Sequence, residues 1–146
     1  MASATKSRFL SRAVPVAALS LALLGGLSST AFAAADPSVS ADPSTGLSDG
    51  ATINVTVSDY AAEEQVAVTE CASLPDGLVV CDGKNIVGLI TDTAGTGVTP
   101  YTVHKAFQGY TRDGQPWGPV DCATVQCGIG ASNTGAVLSA TKIYFQ

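Results

Sequence analysis

The sequence predicts an all-β protein, an antiparallel β-sandwich of immunoglobulin type with about seven strands. Three observations predict it. Short runs rich in Val, Thr, Ile and Tyr alternate apolar with polar residues, and Gly, Asp, Pro and Asn cut them apart. The runs recur at spacings of about 8–12 residues, the rhythm of a sandwich. Nothing after residue 33 carries the 3.6-residue period of a long amphipathic helix.

The chain begins differently. Lys6, Arg8 and Arg12 precede an apolar run from Ala13 to Gly26, and Ala31-Phe32-Ala33 follows. A basic segment, an apolar segment and an A-x-A site together read as a secretory signal peptide, residues 1–33. The apolar run is well short of the ~20 residues that span a bilayer. The expected domain is therefore residues 34–146, secreted, with no membrane segment and a monomeric state.

Strands are expected in order. Asp36 to Ala41 is a short first strand around Val39, and the turn-rich 42–50 segment follows. Ala51 to Ser58 is the clearest strand, with Ile53, Val55 and Val57 on one face and Thr52, Asn54 and Thr56 on the other. Gln65 to Ala72 repeats the pattern with Val66 and Val68. Ile86 to Thr91 is short and ends at the turn 92–97. Val98 to Phe107 places Tyr101, Val103 and Phe107 on one face. Asp113-Gly114 marks a hairpin tip. Val120 to Ala123 and Thr141 to Phe145 complete the set.

Charge narrows the function. The whole chain has 7 basic and 12 acidic residues, a net charge of −5. All twelve acids follow residue 33 but only four of the bases do (Lys84, Lys105, Arg112 and Lys142), so the domain carries −8. Such a surface repels phosphate and disfavours direct nucleic-acid binding.

The cysteines are Cys71, Cys81, Cys122 and Cys127. In an exported chain they are expected as disulfides, and four cysteines allow three connectivities. Their spacings do not match close zinc-ligand pairs, and His104 is the sole histidine, so no metal is expected. Nor is a catalytic site: His104 lies out of phase with Tyr101 and Val103, and no G-x-S-x-G elbow is present.

Binding is better supported. Leu74, Leu78, Val79 and Val80 crowd the segment between the first two cysteines, where they cap the sandwich or wall an apolar cleft. Gly128-Ile129-Gly130-Ala131-Ser132-Asn133-Thr134-Gly135 is rich in small residues and would let a flat ligand approach the backbone. Tyr110, Arg112 and Trp117 bracket the hairpin tip, and Trp117 is expected as a core plug.

Several of these segments carry a resemblance. They are Ser44-Thr45-Gly46-Leu47-Ser48-Asp49-Gly50, Cys71 with Cys81, Phe107-Gln108-Gly109-Tyr110, Asp113-Gly114, Trp117-Gly118-Pro119-Val120-Asp121-Cys122-Ala123-Thr124, Cys127, and the ending Ile143-Tyr144-Phe145-Gln146. Together they resemble the neocarzinostatin family, secreted apoproteins that carry enediyne chromophores. The resemblance implies a seven-stranded sandwich with a small β-ribbon subdomain, and disulfides Cys71–Cys81 and Cys122–Cys127. It implies a cleft that holds a small aromatic enediyne non-covalently, with DNA reached only through the released ligand. Both cysteine loops are expected to flank that cleft. Its expected residues are Ser73, Leu78, Val79, Arg112, Gly128, Gly130 and Ser132. Three depart from the family's type member: Ser73 and Arg112 stand where it has aromatics, and Gly128 where it has glutamine. Arg112 retains the capacity to stack on a ring or to pair with an anion. The alternative reading is an immunoglobulin-like structural or protein-interaction module without a chromophore.

Overall fold

A computed structural model describes residues 35–135 and 138–146. The expected leader, 1–33, lies outside them. Among the described residues nine strands and no helix are present: β1 (Ser38–Asp42), β2 (Thr52–Ser58), β3 (Gln65–Ser73), β4 (Val79–Ile90), β5 (Gly97–Thr102), β6 (Ala106–Tyr110), β7 (Pro116–Asp121), β8 (Gln126–Asn133) and β9 (Leu138–Lys142). They form two antiparallel sheets, β1-β2-β5 and β7-β6-β4-β3-β8-β9.

The core lies between the sheets and follows from period-two alternation. Ile53, Val55 and Val57 of β2 and Tyr101 of β5 are buried from one side. Val66 and Val68 of β3 and Ile129 and Ala131 of β8 are buried from the other. The Tyr60 hydroxyl donates to the Ala131 carbonyl at 3.1 Å and lies 2.8 Å from Ser139 Oγ, so its burial leaves no polar atom unpaired.

Four expectations change. The run from Val98 to Phe107 is two strands, because the chain leaves the small sheet after Thr102 and enters the large one at Ala106. The Val103 N–H bonds the Ala51 carbonyl at 2.9 Å and keeps Val103 buried through the crossing. The second strand of the first cysteine pair is twelve residues long and starts at Val79. The glycine-rich segment after Cys127 is not exposed backbone: it is β8, paired with β3 on one side and β9 on the other. Trp117 is not a core plug, being 45% exposed on β7.

Gly128 shows why β8 needs small residues. A Cβ there would run into the Thr141 carbonyl oxygen of the neighbouring strand β9, a backbone atom that cannot swing aside. Gly128 therefore permits the close approach of the C-terminal strand.

The β3–β4 ladder is interrupted. Thr69 faces Ile86, but Cys71 faces Cys81, so Asp82 to Asn85 form an excursion of β4. Thr69 Oγ1 donates to the Asp82 carbonyl at 2.9 Å. The buried Tyr101 hydroxyl donates to the Asn85 carbonyl at 2.7 Å and accepts the Glu70 N–H at 2.9 Å. Burial pushes the Tyr101 phenol up to about 12, so it remains a donor throughout the ordinary pH range.

Glu70 points into the core at the same level and is fully buried. Its Oε2 accepts the His104 N–H at 2.8 Å, tying β3 to the β5–β6 crossing, and its Oε1 lies 3.6 Å from Cys122 Sγ. Burial pushes its carboxyl up to about 7; the His104 bond opposes the rise, and Asp82 and Asp49 add to it.

Two outcomes follow from these contacts. Gly128→Ala should lower the unfolding free energy by about 1–3 kcal/mol in urea titration, the usual cost of overpacking. The folded state holds the Glu70 proton more tightly than the unfolded chain. That contribution to stability is complete below about pH 4.5 and is lost as pH rises through about 7, on the order of 3 kcal/mol in total. Glu70→Gln keeps an acceptor for His104 but cannot ionise. Urea midpoints measured across that range should fall with pH in the parent chain and change much less in the variant.

Candidate functional site

The interruption of the β3–β4 ladder creates a concavity on the outer face of the large sheet. Beyond it, Cys71 and Cys81 sit directly opposite each other and are joined, with sulfurs 2.07 Å apart. They staple a two-stranded ribbon that leads to the turn 74–78. The turn closes on itself: the Leu74 N–H bonds the Leu78 carbonyl at 2.8 Å, and Asp76 Oδ1 accepts the Leu78 N–H at 3.0 Å. Across the concavity stands the β6–β7 hairpin, attached to the ribbon by the pairing of Tyr110 with Cys81. A mostly apolar cavity of about 640 Å³ lies between them.

Each boundary comes from a different element. The ribbon supplies Cys71, Val79 and Cys81. The floor is the outward face of the sheet, where Thr69 of β3 pairs with Gly130 of β8. Ser132 and Asn133 extend the floor along β8, and Asn133 Nδ2 donates to Glu64 Oε1 at 2.8 Å. The hairpin supplies Tyr110, Thr111, Arg112 and Gly114. The excursion of β4 supplies Gly83, and Ile86 marks where regular pairing resumes. The Tyr110 ring lies over Gly83, where a Cβ would meet that ring at 3.0 Å, so the position suits a residue without a side chain.

Four of the seven expected residues converge on the cavity: Val79, Arg112, Gly130 and Ser132. Ser73, Leu78 and Gly128 are not among its lining residues. Ser73 pairs with Val79 at the outer end of the ribbon, and Leu78 belongs to the turn beyond it. Gly128 answers to the β9 backbone, as described above.

The expected flanking role of both disulfides is also corrected. Cys122–Cys127, with sulfurs 2.03 Å apart, closes the β7–β8 connection, and Cys127 is buried on the core face behind the floor. Its two sulfurs and Glu70 form the one cluster of metal-ligand atom types among the described residues. The sulfurs are bonded to each other, so that cluster offers no thiolate.

Thr69, Gly83, Tyr110 and Ile86 were not singled out as lining residues. Thr69 was legible, since it stands two positions before Cys71 on the same strand face. Gly83 and Ile86 were not, because the excursion between Cys81 and Ile86 breaks that alternation. His104, the sole histidine, is not among the lining residues; its Nδ1 lies 3.8 Å from Asp49 Oδ1.

The cavity can take an apolar, flat molecule against a floor of hydroxyls and small residues of paired strands. All four cysteines are oxidised, so no free thiol stands in the chain.

Comparison with known proteins agrees with this architecture. The sequence model described as the Neocarzinostatin family matches residues 39–144. The antitumor antibiotic C-1027 apoprotein of Streptomyces globisporus is 38% identical over 139 residues, covering 95% of this chain and 95% of that protein. Actinoxanthin, of the same organism, shows the same identity and coverage. The solved structure of macromomycin superposes with a TM-score of 0.70 at 32% identity, covering 75% of this chain and 99% of that one. With the sandwich, the stapled ribbon and the cleft between ribbon and hairpin all present, the chain belongs to the neocarzinostatin family.

Proposed function

We propose that the protein is a secreted, monomeric carrier that binds a small, apolar, enediyne-type chromophore non-covalently in this cleft and shields it until release. The observation that carries the reading is a mostly apolar cavity of about 640 Å³ in a chain whose four cysteines are all oxidised. The volume suits a drug-sized ligand. An enediyne is triggered by nucleophilic attack, commonly by a thiol. An apolar enclosure excludes water and dissolved thiols, and the oxidised cysteines remove the internal ones.

The relatives support the ligand class. One is named as the apoprotein of an antitumor antibiotic. Action on DNA belongs to the released ligand in this reading, since a domain of net charge −8 has little attraction for a polyanion. Val79, Arg112, Gly130 and Ser132 are the contacts expected from the sequence that line the cavity, and Tyr110 adds an aromatic face.

A neutral fluorescent probe tests the site. N-phenyl-1-naphthylamine should bind with one-to-one stoichiometry and brighten on transfer to the apolar cleft. Ser132→Trp, which fills the floor, should weaken the probe at least about tenfold, equivalent to ~1.4 kcal/mol. Thermal melting should show that the variant is folded. Equal binding by both proteins would place the probe elsewhere and favour the interaction-module reading.

A further inference from the structure

Arg112 is the single charged residue on a cleft otherwise lined by neutral groups. It is exposed, and among the described residues no ion pair or hydrogen bond engages its guanidinium. The carboxylate next to it in sequence and that of the ribbon turn are engaged elsewhere. Asp113 takes the Thr111 hydroxyl, which holds its carboxyl below the usual carboxylate range. Asp76 on the ribbon turn accepts the Leu78 N–H at 3.0 Å.

The hairpin that carries Arg112 is also fixed in place. The Thr111 N–H bonds the Gln115 carbonyl at 2.9 Å, the Gly114 N–H bonds the Thr111 carbonyl at 2.9 Å, and Thr111 Oγ1 accepts the Gln115 N–H at 3.1 Å. Gly114 takes the positive φ of 78° that the turn requires. The guanidinium is therefore presented from a rigid tip, at the edge of a cavity, without a protein partner.

A ligand filling the cavity would cover part of that charge. Covering a charge without a compensating acceptor is unfavourable, so the ligand either avoids Arg112 or satisfies it. A guanidinium offers a planar fork of N–H donors that matches a carboxylate in two parallel hydrogen bonds.

We infer that the cleft selects an aromatic ligand bearing a carboxylate, with the ring against the floor of Thr69, Gly130 and Ser132 and the carboxylate on the Arg112 guanidinium. The inference rests on the reading of the cleft as a ligand site and adds the acidic group to it. Ligand charge thereby becomes a selection rule: the protein's overall negative charge disfavours anions at long range, and one cation at the rim admits those that reach it.

Two probes with the same ring separate this from simple ring binding. 2-Naphthoate is ionised at pH 7, and 2-naphthamide is its neutral counterpart. Both are titrated by fluorescence into the parent chain, Arg112→Gln, and Lys142→Gln as a control for net charge. The expected result is that the parent chain prefers naphthoate by about tenfold, the size of one charge-assisted contact. Arg112→Gln should abolish that preference by weakening naphthoate about tenfold more than naphthamide, and Lys142→Gln should leave the preference unchanged.

Equal affinity of the parent chain for both probes, or an equal loss of both in Arg112→Gln, overturns the inference. Either outcome would mean that Arg112 stacks on the ring or stands aside, and the cleft would still be a ligand site. Failure of both probes to bind any of the three proteins would remove the ligand site and this inference together.

Discussion

The mismatch between β3 and β4 is the constraint on which the rest of the molecule depends. On one side of it, Val66 and Val68 belong to an ordinary sandwich core. On the other, Cys71 and Cys81 belong to a ribbon with little core of its own. Asp82 to Asn85 take up the difference. Their backbone is held by Thr69 from the same sheet and by Tyr101 from the opposite one. A bulge of this kind redirects a strand pair. Here the redirected pair becomes one wall of the cleft, and Gly83 in the excursion lies under Tyr110 in the other.

Stability is distributed to suit that geometry. The sandwich is held by burial of branched and aromatic side chains. The ribbon, with fewer buried residues, is held by a disulfide across paired strands and by its attachment to β6 at Cys81 and Asp82. A disulfide restrains the unfolded chain as well as the folded one, which suits a segment too small to bury much surface. Glu70 lies behind the floor, tied to the β5–β6 crossing. Its burial costs stability when it ionises, yet its main-chain neighbours Thr69 and Cys71 line the cleft, so it joins floor to core.

Much of the fold was legible in the sequence, and the failures have physical causes. β2 and β3 were readable because branched residues alternate cleanly with polar ones. β8 was misread because Gly128, Gly130 and Ser132 carry the opposite face of an otherwise regular strand. Its buried face, Cys127, Ile129 and Ala131, keeps the period of two, but glycine has low strand propensity and masks it. The break between β5 and β6 was invisible because Val103 continues the apolar phase through the crossing. In the site, the apolar residues between the first two cysteines, Arg112 at the hairpin tip and the small-residue run after Cys127 stand out in the sequence itself, and the family resemblance joins them into one cleft. Gly83 and Ile86 depend on a register shift that no local pattern announces. Gly128 was assigned to a ligand because glycine permits any close approach, and here the approaching group is the Thr141 carbonyl.

The cleft, the oxidised cysteines and the acidic surface describe a container, and a container is defined by what it keeps out. The most direct measurement is the lifetime of a thiol-activated enediyne in the presence of glutathione, followed by its ultraviolet absorbance, with and without this protein. Excess parent chain should slow the decay in proportion to the bound fraction, and Ser132→Trp at the same concentration should protect much less. An unchanged lifetime at ligand saturation would contradict the shielding role, because the bound molecule would then be as open to attack as the free one.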